Sequence, residues 1–122
     1  MAKILVVEDD PFIRSVYEEI LVKSGHTPET AKDGREGLEK AEANEPDLII
    51  LDMLMPELDG IAFLEKYDLK AKHPNVKVIV LSNMMLQDKV NRAIELGASN
   101  YKTKALFSPR EMVDLITQTL NS

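Results

Sequence analysis

Three consecutive acids, Glu8-Asp9-Asp10, and a fourth, Asp52, at the end of the run Asp47-Leu48-Ile49-Ile50-Leu51-Asp52 are the residues whose types and placement could do chemistry. Carboxylates held a few ångströms apart repel, and raise one another's pKa unless a cation compensates. The chain has no cysteine and only two histidines, so an all-oxygen cluster of this kind suits a hard cation, Mg2+ or Mn2+, rather than zinc. Such a cation keeps several waters and accepts a phosphate oxygen as an additional ligand. With the ammonium of Lys104 and the hydroxyl of Ser82 nearby, the set matches the electrostatic demands of phosphoryl transfer, in which the protein mainly positions groups and neutralises charge. Asp52 would be the nucleophile and would become an acyl phosphate.

That chemistry requires elements that bring residues 8–9, 52, 82 and 104 together. Leu48 to Leu51, with Asn44-Glu45-Pro46 before and Pro56 after, reads as a strand buried on both faces, as inside a parallel sheet. Lys3 to Val7 is a second buried strand, ended by the acids. Asp10 followed by Pro11 is a helix start, which makes Asp10 a cap rather than a ligand. Ile13, Val16, Tyr17, Ile20 and Leu21 then recur at helical spacing up to Ser24-Gly25. His26 to Ala31 is a weak strand whose Pro28 places it at a sheet edge. Asp33-Gly34 opens a second helix with Leu38 and Ala41 inward, and Asp59 caps a third that carries Phe63, Leu64 and Tyr67 and stops before His73-Pro74-Asn75. Val76 to Leu81 repeats the buried-strand pattern and ends at Ser82-Asn83. Leu86, Val90, Ala93 and Gly97 mark a fourth helix, Ala98 to Tyr101 a brief strand, and Ser108-Pro109-Arg110-Glu111 a capping box that starts the last helix with its stripe of Met112, Leu115, Ile116 and Leu120.

Five strands alternating with five helices predict an α/β fold, a parallel sheet with right-handed crossovers, too short to close as a barrel of eight. The doubly wound, flavodoxin-like order 2-1-3-4-5 puts the Pro28 strand at an edge and makes the first and third strands neighbours at the switch point. Glu8, Asp9 and Asp52 then meet there, with Ser82 and Lys104 arriving from the fourth and fifth strands.

Composition bounds the rest. A chain of 122 residues with 44% apolar and 30% charged residues suits one domain, residues 1–122. Apolar runs of only a few residues predict neither membrane insertion nor a secretory signal, hence a cytoplasmic protein. A net charge of −6 without a basic stripe argues against direct nucleic-acid binding.

The chain resembles the receiver domain of two-component response regulators, in its stand-alone, chemotaxis-regulator-like form. The resemblance runs the whole length and rests on Val6-Val7-Glu8-Asp9-Asp10, Asp33-Gly34, Pro46 to Asp52, Met55-Pro56, Asp59-Gly60, Ser82, Gly97-Ala98 and Tyr101 to Lys104. It implies phosphorylation of Asp52 by a sensor histidine kinase, a phosphotransfer protein or a small phosphodonor. The metal would be held by Asp9, Asp52 and the backbone carbonyl of Leu54, with Glu8 holding a metal-bound water. It also implies a switch in which Ser82 and Lys104 each bond a phosphate oxygen and Tyr101 moves inward. The readout surface would be the fourth helix, fifth strand and fifth helix, acting on a downstream protein effector. A phosphorylation-dependent homodimer through the last two helices stays open.

Several residues depart from the family pattern or carry plainer readings. Ala105 stands where a proline is usual after the lysine, so no cis X-Pro bond can hold that loop, and Asn83 replaces a small residue. These two suggest the alternative of a pseudo-receiver that is never phosphorylated. A small Mg2+-dependent phosphohydrolase or a flavodoxin-type flavin protein is a third reading on the same fold, opposed by the lack of a phosphate-binding loop after the first strand. Leu54 and Met84 flank the path of an attacking water with apolar groups, which predicts slow loss of the phosphoryl group. Met53, Met55, Met84 and Met85 read as packing, His26 and His73 as surface turn residues, and Tyr101 as either a packed edge residue or a switch.

Overall fold

The computed structural model describes residues 2–55, 58–82, 87–103 and 108–122. Among them the order is β1 (Lys3–Val7), α1 (Pro11–Lys23), β2 (Thr27–Ala31), α2 (Gly34–Asn44), β3 (Leu48–Asp52), α3 (Gly60–Tyr67), α4 (Leu69–Lys72), β4 (Lys77–Ser82), α5 (Gln87–Glu95), β5 (Asn100–Thr103) and α6 (Pro109–Leu120). The strands form one parallel sheet in the order β2-β1-β3-β4-β5. This is the doubly wound (βα)5 arrangement that the alternation of elements predicts. β2 is an edge with Pro28 in it, and the Lys40 ammonium closes over the Thr30 carbonyl, which limits the edge as a template for another strand.

Alternate residues of the central strands feed two cores. Leu5, Val7, Ile49, Leu51, Val78 and Val80 face Ala41, Phe63, Leu64, Tyr67 and Ala93 from α2, α3 and α5. Ile4, Val6, Leu48, Ile50, Ile79 and Leu81 face Leu21 of α1 and Met112, Leu115 and Ile116 of α6. Burial on both sides is why β3 carries an unbroken apolar run, each such side chain contributing about 1.5–3 kcal/mol. Met53 and Met55 lie in the first core, as packing residues.

The helix starts follow their caps. Asp10 accepts from the Phe12 and Ile13 N–H groups, Asp33 from Glu36, Asp59 from Ala62, and Ser108 with Glu111 closes a reciprocal capping box. Gly34 is required by contact, since a Cβ there would run into the Leu58 carbonyl oxygen.

Several sequence expectations shift. The third predicted helix is two pieces, because Asp68 takes the left-handed conformation (φ 55°, ψ 54°) and ends α3 before the single turn of α4; aspartate tolerates this region better than most residues. β5 starts two residues later than expected and runs to Thr103. Gly97, at φ +108°, Ala98 and Ser99 instead close α5 and hand over to the sheet through Ala98 N–H to Ala93 O and Ser99 N–H to Val78 O. β4 takes in Ser82, so the serine is a strand residue rather than a turn residue.

The histidines are not simple surface turn residues. The His73 ring stacks on Tyr67 with centroids 4.0 Å apart and 3° between planes, and its Nδ1 lies 2.6 Å from a Glu45 carboxylate oxygen. His26 Nδ1 accepts the Ala2 N–H at 3.2 Å. The contacts with Glu45 and Ala2 join residues more than twenty positions apart, which no local spacing signals. Asn83, Met84, Met85, Leu86, Pro56, Lys104 and Ala105 lie outside the described residues, and with them the expectations placed on the Lys104 loop and the Met84 flank. No helix among the described residues is long and apolar enough to cross a membrane.

Candidate functional site

β1 and β3 are neighbours in register, Val7 opposite Leu51, so the next residues along, Glu8 and Asp52, come side by side at the carboxyl end of the sheet. One carboxylate oxygen from each of Glu8, Asp9 and Asp52 lies within 4.8 Å of the other two. Glu8 and Asp52 are buried, at 2% and 5% exposure, while Asp9 is exposed. This is the crevice where an open α/β sheet places its ligands, because the chains leaving β1 and β3 turn to opposite faces.

Backbone donors orient the carboxylates. Glu8 Oε2 accepts the Asp10 N–H at 3.1 Å, and Asp52 Oδ1 accepts the Leu54 N–H at 3.2 Å. The Leu54 side chain stands out at 49% exposure. Gly60 lets α3 begin close under the end of β3: a Cβ there would lie 2.7 Å from Met53 Sδ and 3.0 Å from the Asp52 carbonyl oxygen. Asp10 lies outside the cluster and acts as the α1 cap, as its position before Pro11 predicts.

From the neighbouring strands, Asp52 pairs with Leu81 and Ser82 with Thr103, which puts the buried Ser82 hydroxyl at the same end of the sheet. Half-buried Tyr101 hydrogen-bonds with Ser82; burial raises the phenol pKa and the bond to Ser82 opposes that rise. Ser82 and Tyr101 are therefore joined directly, a pairing the sequence placed only in the same neighbourhood. Of the predicted site residues, Glu8, Asp9 and Asp52 converge, Ser82 and Tyr101 sit on the adjoining strands, and Lys104 falls outside the described residues just past β5.

The residue that sequence reasoning missed is Arg14. Its Nη1 donates to the Glu8 carbonyl oxygen at 2.9 Å. The signal was available, since Arg14 lies one turn after the cap Asp10 and helical side chains lean toward their own N-terminus.

The donor set is wholly oxygen, with carboxylates crowded enough to repel, and it fits a hard dication such as Mg2+. Residues 4–117 match the family described as the response regulator receiver domain. The chemotaxis protein CheY of Bacillus subtilis is 35% identical over 120 residues, covering 98% of both chains. The alkaline phosphatase synthesis transcriptional regulatory protein PhoP of the same organism is 42% identical over 111 residues, but the match spans only 45% of that longer protein. Among solved structures, a CheY-like response regulator receiver domain protein from Methanospirillum hungatei superposes with a TM-score of 0.93 at 29% identity, covering 99% of this chain and 94% of the other. The chain belongs to the receiver-domain family of two-component response regulators. Members of this family are signalling modules rather than classical enzymes, and they bind Mg2+ at an acidic pocket, where this chain presents Glu8, Asp9 and Asp52.

Proposed function

We propose that residues 1–122 act as one phosphorylation-controlled switch, with Asp52 as the acceptor. The observation that carries this reading is the convergence of Glu8, Asp9 and Asp52 at the carboxyl ends of adjacent strands, two of the three buried. An Asp52 carboxylate oxygen attacks phosphorus. The bond from phosphorus to the donor, a nitrogen in phosphohistidine or an oxygen in acetyl phosphate, breaks, and the donor leaves with the electron pair.

Asp9, Asp52 and the Leu54 carbonyl would hold Mg2+ or Mn2+, with Glu8 holding a water. When bound, the dication supplies neutralisation of phosphoryl-oxygen charge. The remaining work belongs to the chain. Leu54 N–H orients Asp52, burial keeps competing water from its inner face, and Ser82 and Lys104 bond the transferred oxygens. Because Tyr101 is joined to Ser82, a move of the serine toward phosphate frees the phenol and re-sorts the surface of α5, β5 and α6, which an effector protein reads. The donor would be a sensor histidine kinase, a phosphotransfer protein or a small phosphodonor, the setting cytoplasmic, and turnover limited to the protein's own acyl phosphate.

The test is intact mass of wild type and Asp52→Ala after incubation with acetyl phosphate, with and without Mg2+. A Mg2+-dependent gain of one phosphoryl group in wild type only is the expected result. No gain in wild type under any condition would overturn the acceptor role and leave a partner-binding module that is not phosphorylated.

A further inference from the structure

Glu8 leaves β1 held on three sides. Its N–H donates to the Ala31 carbonyl at 3.1 Å, its carboxylate accepts from Asp10 N–H at 3.1 Å, and its carbonyl accepts from Arg14 Nη1 at 2.9 Å. The Arg14 N–H in turn donates to the Asp10 carbonyl at 2.9 Å, and Asp10 Oδ1 accepts from Phe12 and Ile13. The acid turn and the first coil of α1 therefore form a closed ring of hydrogen bonds. Asp9 sits inside that ring's span with its side chain exposed toward the crevice cluster. The guanidinium also brings a positive charge to the backbone of a turn that carries two of the three clustered carboxylates.

We propose that Arg14 is the positioning residue of the acid turn: by clamping the Glu8 carbonyl it holds Glu8 and Asp9 in register with Asp52 and so sets the site's affinity for a divalent cation. The inference rests on the function proposed above, and it deepens that reading by assigning control of cation affinity to a residue outside the acid cluster. A residue that orients a ligand from behind changes metal affinity by about 10- to 100-fold when removed. Arg14 makes its bond through one arm of a five-donor fork, and its one-turn spacing from Asp10 makes the ring possible.

The experiment compares wild type with Arg14→Met, which keeps the packing stem, Arg14→Gln, and Arg14→Lys, which keeps a cationic donor. Mn2+ affinity is measured by electron paramagnetic resonance, thermal unfolding is followed without cation, and the rate of phosphoryl gain from acetyl phosphate is followed by mass across a Mg2+ titration. Arg14→Met and Arg14→Gln should weaken Mn2+ binding about 10-fold and raise the Mg2+ needed for half-maximal rate by the same factor. The rate at saturating Mg2+ should stay within about twofold of wild type, and Arg14→Lys should recover most of the affinity. A role confined to clipping α1 would lower the cation-free melting temperature of Arg14→Met and Arg14→Gln alike while leaving Mn2+ affinity at the wild-type value, and that result would overturn the proposal. Should Arg14→Met not fold, Arg14→Gln carries the same expectation. Wild type that binds Mn2+ but gains no phosphoryl group would strike the acceptor role of Asp52 alone, leaving the positioning role to be decided by the variants' Mn2+ affinities. Wild type that binds no Mn2+ would overturn both.

Discussion

Asp47 and Asp52 bracket the same four apolar residues, yet the two ends of that strand treat an aspartate differently. At the amino end, the exposed Asp47 carboxylate accepts the Lys3 N–H at 2.8 Å, its own N–H donates to Lys3 O at 2.8 Å, and its carbonyl accepts from Lys77 N–H at 3.1 Å. It knits β1, β3 and β4 together. At the carboxyl end, Asp52 is buried beside two other carboxylates. In a parallel sheet every strand presents the same end to the same rim, so one rim can be given to stitching and the other to a ligand. The amino end holds the structural polar contacts: Asp47, the half-buried His26 and the corner where His73, Tyr67 and Glu45 meet. The carboxyl end holds the crowded carboxylates, an arrangement that fits a bound cation.

Four measurements sharpen or break this contrast. The largest effect is expected from the cation. Mg2+ at about a hundred times its Kd should stabilise the fold against denaturant by about 2.7 kcal/mol, an increment that Asp52→Asn loses and Asp47→Asn keeps. Equal loss in both variants would erase the distinction between the two ends.

Tyr67 comes next. Its hydroxyl is buried without a hydrogen-bond partner among the described residues, and burial, with the charges of Glu45 and Glu42 adding to it, pushes its pKa up to about 12. Tyr67→Phe should therefore raise stability by about 1 kcal/mol at neutral pH, since a buried unsatisfied group is a standing cost. The sign at alkaline pH follows from linkage. The unfolded phenol ionises near 10 and the folded one near 12, so wild-type stability is undiminished by this group below pH 10 and falls as pH rises from there through 12. Unfolding curves at pH 9 and pH 11 should show that fall in wild type and a smaller one in Tyr67→Phe.

Asp47→Ala should cost about 1 kcal/mol through the lost bond to Lys3, with the rate of acyl-phosphate formation unchanged; a slower rate would mean that the stitching end also supports the chemistry. The smallest effect is at His26, whose pKa is lowered chiefly by burial. Neutral His26 accepts the Ala2 N–H, so its contribution is present above the ordinary imidazole value and shrinks as pH falls below it. His26→Gln should flatten the stability profile slightly on the acid side of pH 6.5, read as the difference from wild type.

Much of the fold was legible in the sequence because its signals are local. Asp10-Pro11, Asp59 and Ser108 through Glu111 start helices by bonds made within three residues, and Leu48–Leu51 announces a strand covered on both faces. Pro28 marked the edge because it lacks an N–H. What escaped was set at longer range or by marginal local energies. Asp68 splits a helix whose apolar pattern runs on through Leu69, β5 is shifted by the turn at Gly97, and His73 stacks on Tyr67 while meeting Glu45, the residue that follows α2.

The site divides in the same way. Residue types and strand-end positions, with the family resemblance, were enough to single out Glu8, Asp9, Asp52, Ser82 and Tyr101, because parallel alternation admits few strand orders and each puts strand ends together. The chain by itself thus determined the architecture and the candidate residues of the crevice. Only the tertiary structure decided that Glu8 and Asp52 are buried while Asp9 is open, that Tyr101 bonds Ser82, and that Arg14 clamps the acid turn. Capping and periodicity are energies between near neighbours in sequence, whereas burial and these contacts depend on the three-dimensional placement of side chains.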